Sequence, residues 1–159
     1  MKKFSVFNIA MFAFVVMYAE GNDTLQTASG LKIIFLNKGY GNTFQKGDKI
    51  KVHFEAKLCD GSFVESTKSA GMAFRFFKGD QNIIEGWNEA FNYLREGDRA
   101  LVIVPAQLGY GDVGLLEPGT KDVYLVPPGQ DIHFEINKIA LVKTAKNHVR
   151  TFTTAKVKH

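Results

Sequence analysis

Ten residues, Lys49 to Leu58, alternate without a break. Ile50, Val52, Phe54, Ala56 and Leu58 are apolar or small, while Lys49, Lys51, His53, Glu55 and Lys57 are polar. Successive side chains of a strand point to opposite faces, so this run demands a strand with one face buried and one face wet. Something else in the chain must cover the apolar face. One segment has a different period: Trp87, Ala90, Phe91 and Leu94 recur at i, i+3, i+4 and i+7. That spacing predicts a short amphipathic helix over residues 84–94, with Gly97 as its C-terminal stop.

Shorter runs supply the rest of a sheet. Leu31 to Lys38 reads as a first strand, and Asp60-Gly61 is a hairpin turn that returns the chain through Phe63 to Ser66. Phe74 to Phe77 and the almost wholly apolar Ala100 to Val104 follow, the latter as a central strand. Ile132, Phe134, Ile136 and Ile139 to Val142 form the last one. Pro105 to Gly129, which holds all four prolines, is expected as a long loop. The expected class is α+β: an antiparallel sheet with one short helix against it. No internal repeat is present.

The two ends of the chain differ from this middle. Lys2 and Lys3 precede a run without charge from Phe4 to Tyr18, and the small Ala19 closes it. This is the layout of a secretory signal peptide over residues 1–19, too short for a spanning helix of roughly 20 residues, with an uncleaved anchor as the other reading. Export to the periplasm, to the exterior or to a secretory lumen is therefore expected, with no stable membrane span after cleavage. Residues 20–30 are small and polar and read as a linker, residues 31–142 as the domain, and residues 143–159 as a basic tail. Five of the 20 basic residues lie in that tail, which has no acid, and two lie in the leader. Residues 20–142 then carry 13 basic against 16 acidic residues, which argues against a nucleic-acid-binding face. The tail has the charge to meet an acidic surface, but a solvated terminus is the preferred reading. Asn22-Asp-Thr24 is a glycosylation sequon that matters only in a eukaryotic secretory route.

Conventional catalytic groups are missing. There is no nucleophile elbow, phosphate loop or zinc motif. Cys59 is alone, so it forms neither an intrachain disulfide nor a cysteine metal site. The four histidines lack ligand spacing, so no metal or cofactor is expected. Glu85 and Glu89, four apart, read as a wet helix face. What remains is Ile83-Ile84-Glu85-Gly86-Trp87, where a junction into the helix delivers the only tryptophan beside two β-branched residues. Leu108-Gly-Tyr110-Gly111 and Pro127-Pro128-Gly129 come later. These segments suggest an aromatic-floored pocket with a tyrosine hydroxyl at its rim. Taken in isolation, Trp87 serves as well as plain core.

Taken together, these segments resemble the FKBP-type peptidyl-prolyl isomerases. Ser29-Gly30-Leu31 matches the entry of bacterial members. Lys46 to Phe54, Leu58-Cys-Asp-Gly61, Ile83 to Trp87, Glu96 to Ala100, Leu108 to Gly111 and Val126 to Gly129 follow in family order. The resemblance implies a five- to six-stranded antiparallel sheet wrapped around a short helix. It implies acceleration of X-Pro rotation during folding of exported proteins, or proline binding by a non-catalytic chaperone module on the same fold. Proline-containing polypeptides would be the partners, with macrolides of the rapamycin type as further ligands. By the same resemblance Trp87 is the floor, and Phe54, Val64, Phe74, Ile83, Ile84 and Phe134 are walls. Tyr110 donates its hydroxyl to a substrate carbonyl, the Ile84 N–H binds another, Leu125 overhangs the site, and Glu65 takes the acidic position. The pattern departs from the family at Phe54, commonly Tyr, at Glu65, commonly Asp, at Ala70, often Arg, and at Val64, commonly Phe. Asp112 to Tyr124 is longer than the family loop and partly apolar, through Leu115, Leu116, Val123 and Tyr124. It either contacts substrate proteins or folds back on the domain.

Overall fold

The computed structural model describes residues 23–142; the expected signal peptide and basic tail lie outside them. The alternating run is a single ten-residue strand, β3 (Lys49–Leu58), and its buried residues are the five apolar or small ones. Before it come β1 (Thr24–Gln26) and β2 (Lys32–Asn37). After it come β4 (Phe63–Ser66), β5 (Phe74–Phe77), β6 (Arg99–Val104) and the long β9 (Ile132–Leu141). These seven strands form one antiparallel sheet in the order β1-β2-β6-β9-β3-β4, and β5 also pairs with β3. The outer edge of β3 is shared: its first half pairs with β5 and its second half with β4.

The sheet has more strands than the resemblance implies because β1 extends its far edge. Thr24–Gln26 lies in the segment read as a linker, yet it pairs with Lys32–Ile34 of β2. The turn between them is closed by Thr27 N–H to the Leu31 carbonyl and Gly30 N–H to the Thr27 carbonyl. Short polar residues hide such an edge strand, because only Leu25 reaches the core.

The helix is shorter than its period predicts. α1 spans Glu85–Ala90, not 84–94. The Asn92 and Tyr93 N–H groups bond to carbonyls three residues back, so the helix tightens into turns, and Phe91 and Leu94 stay buried through them. The chain is bent here by Asp98, which is 2% exposed. Its carboxylate accepts the Arg95 N–H at 2.7 Å and the Gly39 N–H at 2.6 Å. Gly86 sets the distance between helix and sheet, since a Cβ there would overlap the Val104 side chain.

The expected loop after Pro105 is built rather than open. Ala106–Leu108 is a 3-10 turn, and the insertion forms a ribbon of β7 (Leu115–Leu116) against β8 (Tyr124–Val126). The Thr120 hydroxyl closes the far turn by donating to the Glu117 and Val123 carbonyls. The ribbon folds partly back, with Leu115 packed on the core and Val126 fully buried. Val113, Leu116, Val123 and Tyr124 remain exposed.

Candidate functional site

The start of α1 delivers Trp87 to the middle of the apolar face of the sheet. Its side chain is 3% exposed and five phenylalanines surround it. Phe54 stands at 5.1 Å between ring centroids, Phe134 at 5.3 Å and Phe74 at 5.5 Å, all close to perpendicular. Edge-to-face contacts of this kind add about 0.5–1.5 kcal/mol each beyond the burial itself. The strands explain the convergence. Phe54 is on the inner face of β3, Phe134 on that of β9, and Phe74 pairs across β3 with Val52.

Two of the five rings were not among the expected site residues, although Phe91 lies on the expected apolar face of the helix. Phe76, at 5.4 Å, and Phe91, at 5.6 Å, lie against Trp87 and are themselves buried. Their signals were the strand period in Phe74–Phe77 and the i+4 spacing from Trp87. The walls toward solvent are made by Val64, Ile83, Ile84 and Tyr110, which are partly buried and packed on the same cluster. Leu125 is partly buried on β8 but is not among the residues packed on it. Ala70 is exposed and brings no polar atom to the site.

Polar groups without partners gather around this apolar cage. Ile84 is the residue before α1, and its N–H makes no hydrogen bond among the described residues. Ile84 has no side-chain group to cap the helix, so the Glu85 and Gly86 N–H groups stay open among the described residues, while the Trp87 N–H bonds back to the Ile84 carbonyl at 3.0 Å. The Tyr110 hydroxyl likewise has no partner among them, and burial, then the charge of Glu65, pushes its phenol up from the ordinary tyrosine range. The indole Nε1 of Trp87 is buried and unpaired. Glu65 is exposed and pairs across the ladder with Ala56, so the two share the inner face. Tyr110 is held by its loop: Gly114 N–H donates to the Tyr110 carbonyl, Gly111 N–H to Ala106, and Gly129 N–H to Gly111.

Thr67 was missed in the sequence and supports the cage from beneath. Its hydroxyl accepts the Phe54 N–H at 3.1 Å and donates to the Phe54 carbonyl at 3.2 Å. A threonine just past a hairpin carries no signal that it will be buried this way. A recess of about 490 Å³ opens on the solvent side of β3 and β9, between His53, Glu55, Thr67, Lys68, Glu135 and Lys138. It includes neither Trp87 nor Tyr110, so it is separate from the cage floor. Among the described residues, no group of three His, Cys, Asp or Glu is placed to hold a metal ion, and no helix is long and apolar enough to cross a membrane.

Comparison with known proteins places this geometry. The family model described as FKBP-type peptidyl-prolyl cis-trans isomerase matches residues 41–138. A probable FKBP-type peptidyl-prolyl cis-trans isomerase of Haemophilus influenzae is 30% identical over 119 residues, covering 75% of this chain and 46% of its own length. Peptidyl-prolyl cis-trans isomerase Fkbp12 of Drosophila melanogaster is 31% identical over 108 residues, 67% of this chain and 94% of the relative. The chain thus spans about half the length of the bacterial relative and nearly all of the insect one. The crystal structure of AtFKBP13 superposes with a TM-score of 0.69 at 28% identity, covering 76% of this chain and 99% of that one. FkpA from Escherichia coli shares the fold, with a TM-score of 0.63 at 22% identity over 79% of this chain and 52% of that one. With a family match across most of the described sheet, and with relatives and fold neighbours in agreement, the chain belongs to the FKBP-type peptidyl-prolyl cis-trans isomerases.

Proposed function

We propose that the domain accelerates rotation about X-Pro bonds in exported polypeptides. The observation that carries this reading is an aromatic cage around Trp87 whose neighbouring donors, the Tyr110 hydroxyl and the Ile84 N–H, have no partner within the described residues. An apolar ring flanked by carbonyls is the ligand such a site lacks, and proline in a chain is that ligand. Slow X-Pro rotation limits the folding of many chains, which gives such a site a use. Export rests on the layout of residues 1–19.

Resonance makes the peptide planar and sets a rotation barrier of about 18–20 kcal/mol. A twisted X-Pro amide has lost that resonance and is less polar than the planar form. Rings packed about Trp87 exclude water and therefore hold the twisted form better than the planar one. Tighter binding of the twisted state lowers the barrier, and no acid or base is required. Tyr110 and the Ile84 N–H hold the flanking carbonyls so that only the amide turns. Its raised pKa keeps the Tyr110 phenol a donor through the neutral range. Phe54, Phe74, Val64, Ile83 and Phe134 wall the ring, Leu125 overhangs from β8, and Glu65 is the acidic group at the rim. The same pocket accepts a macrolide of the rapamycin type in place of a peptide.

A second reading, a proline-binding chaperone module without catalysis, is favoured by one observation. Phe54 and Ala70 supply no polar atom where the family commonly has Tyr and often Arg. Exchange NMR of a short X-Pro peptide separates the two. Acceleration by the wild type, lost in Trp87→Leu, supports catalysis. Peptide binding without acceleration supports the chaperone reading, and neither binding nor acceleration removes both.

A further inference from the structure

The outer edge of β3 has a gap beside the cage. β5 pairs with β3 as far as Val52, and β4 pairs with it from Glu55 onward, so His53 and Phe54 lie between the two partners. In an antiparallel ladder, a hydrogen-bonded residue exchanges both its N–H and its carbonyl with the residue opposite. Opposite Phe54 the backbone makes only half of that exchange: the Thr67 N–H donates to the Phe54 carbonyl at 3.1 Å. A side chain makes the other half. The Phe54 N–H donates to the Thr67 hydroxyl at 3.1 Å, and the hydroxyl proton goes to the Phe54 carbonyl at 3.2 Å. The chain turns away at this point, because the Ser66 carbonyl takes the Ala70 N–H and the Ser66 hydroxyl takes the Lys68 N–H. With its one proton committed to Phe54, the Thr67 oxygen has a lone pair left, and His53 Nδ1 lies 3.1 Å away as its donor. Thr67 is 5% exposed, so water is a poor substitute for these bonds.

The ring carried by this backbone is the one nearest Trp87, and it also meets Phe74 and Phe134. Where the family commonly has Tyr, Phe54 has no hydroxyl to anchor the ring, so packing and backbone alone set its place. We infer that Thr67 is a positioning residue for X-Pro rotation. Its hydroxyl replaces the missing ladder bond, fixes the Phe54 backbone, and so fixes the ring that walls the cage against a twisted amide. This rests on the proline-binding reading of the Trp87 cage. Thr67 acts through Phe54, so its loss should appear in the chemical step more than in peptide binding.

The test is a double-mutant cycle read by exchange NMR of a short X-Pro peptide, with kcat and KM separated by varying the peptide concentration. Thr67→Val keeps the side-chain shape and removes the hydroxyl. On protein shown to be folded by urea titration, it should lower kcat about five- to tenfold and leave KM within about twofold. Thr67→Ser should stay within about twofold of the wild type in both constants. Ser66→Ala removes a bond from the same turn without touching Phe54 and should leave both constants unchanged. In a Phe54→Leu background, assayed at raised enzyme concentration, Thr67→Val should change kcat by less than about twofold. If Thr67→Val does not fold, Thr67→Ala, which leaves room for a water, takes its place in the cycle. Wild-type kcat in the folded Thr67 variant, no rescue by Thr67→Ser, an equal loss in Ser66→Ala, or the full loss persisting in the Phe54→Leu background would each overturn the inference while leaving the proline site standing. No acceleration by the wild type would instead remove the reading on which it rests.

Discussion

At the scale of single residues, the site combines apolar packing with donors left open. Tyr110 illustrates the pH consequence. Burial and the Glu65 charge both favour its neutral form, so its folded pKa lies above the unfolded value. Any stability or binding that needs the phenol is complete below about pH 10 and is lost as pH rises through the folded value. Tyr110→Phe should therefore weaken peptide binding by about tenfold or less across the neutral range, as expected for one neutral hydrogen bond of about 1 kcal/mol. Glu65→Gln should move the alkaline loss of the Tyr110 contribution to lower pH. Titrations of binding with peptide concentration at several pH values read both effects. Trp87→Leu should cost about 2–4 kcal/mol of stability together with ligand binding, because the five phenylalanines would face a partly empty space. Thermal unfolding beside the binding assay measures it.

At the scale of elements, α1 is placed by two residues that do not touch a substrate. Gly86→Ala improves helix propensity by about 1 kcal/mol but drives a methyl into Val104. Overpacking costs about 1–3 kcal/mol and should win, giving a lower denaturation midpoint by urea titration. Asp98 closes the bend after the helix by accepting two backbone N–H groups. Asp98→Ala leaves both donors without their acceptor at a part-buried site and should cost about 1 kcal/mol. Asp98→Asn retains one acceptor and should be milder, and a larger loss in Asn than in Ala would disprove this account. The strand period of β3 was legible because it runs unbroken for ten residues. The helix ends were not, since Phe91 and Leu94 keep a helical spacing while the backbone turns more tightly around Asp98. β1 was hidden for a related reason: its pairing comes from the turn at Thr27–Leu31, and its own residues are short and polar.

At the scale of the whole molecule, the proposed ligand binding and the folding of the domain share one cage. Trp87 touches residues from β3, β5, β9 and the turn after α1, so a ligand on it holds together elements far apart in the chain. A rapamycin-type macrolide at a hundredfold excess over its Kd should stabilise the domain by about 2.7 kcal/mol. Trp87 is the only tryptophan, so its fluorescence reports both the binding and the raised melting temperature. An unchanged melting temperature at saturating macrolide would contradict this. The sequence by itself determined the α+β class, the apolar face of β3 and the ordered segments that carry the family, because periodicity and turn residues act locally. Tertiary structure decided the rest. Only pairing across strands turned Glu65 toward the inner face, and only packing left the Ile84 and Tyr110 donors open. Thr67 was likewise placed under Phe54 by the fold alone. These are contacts between distant segments, and no local pattern encodes which group will find a partner and which will be left to a ligand.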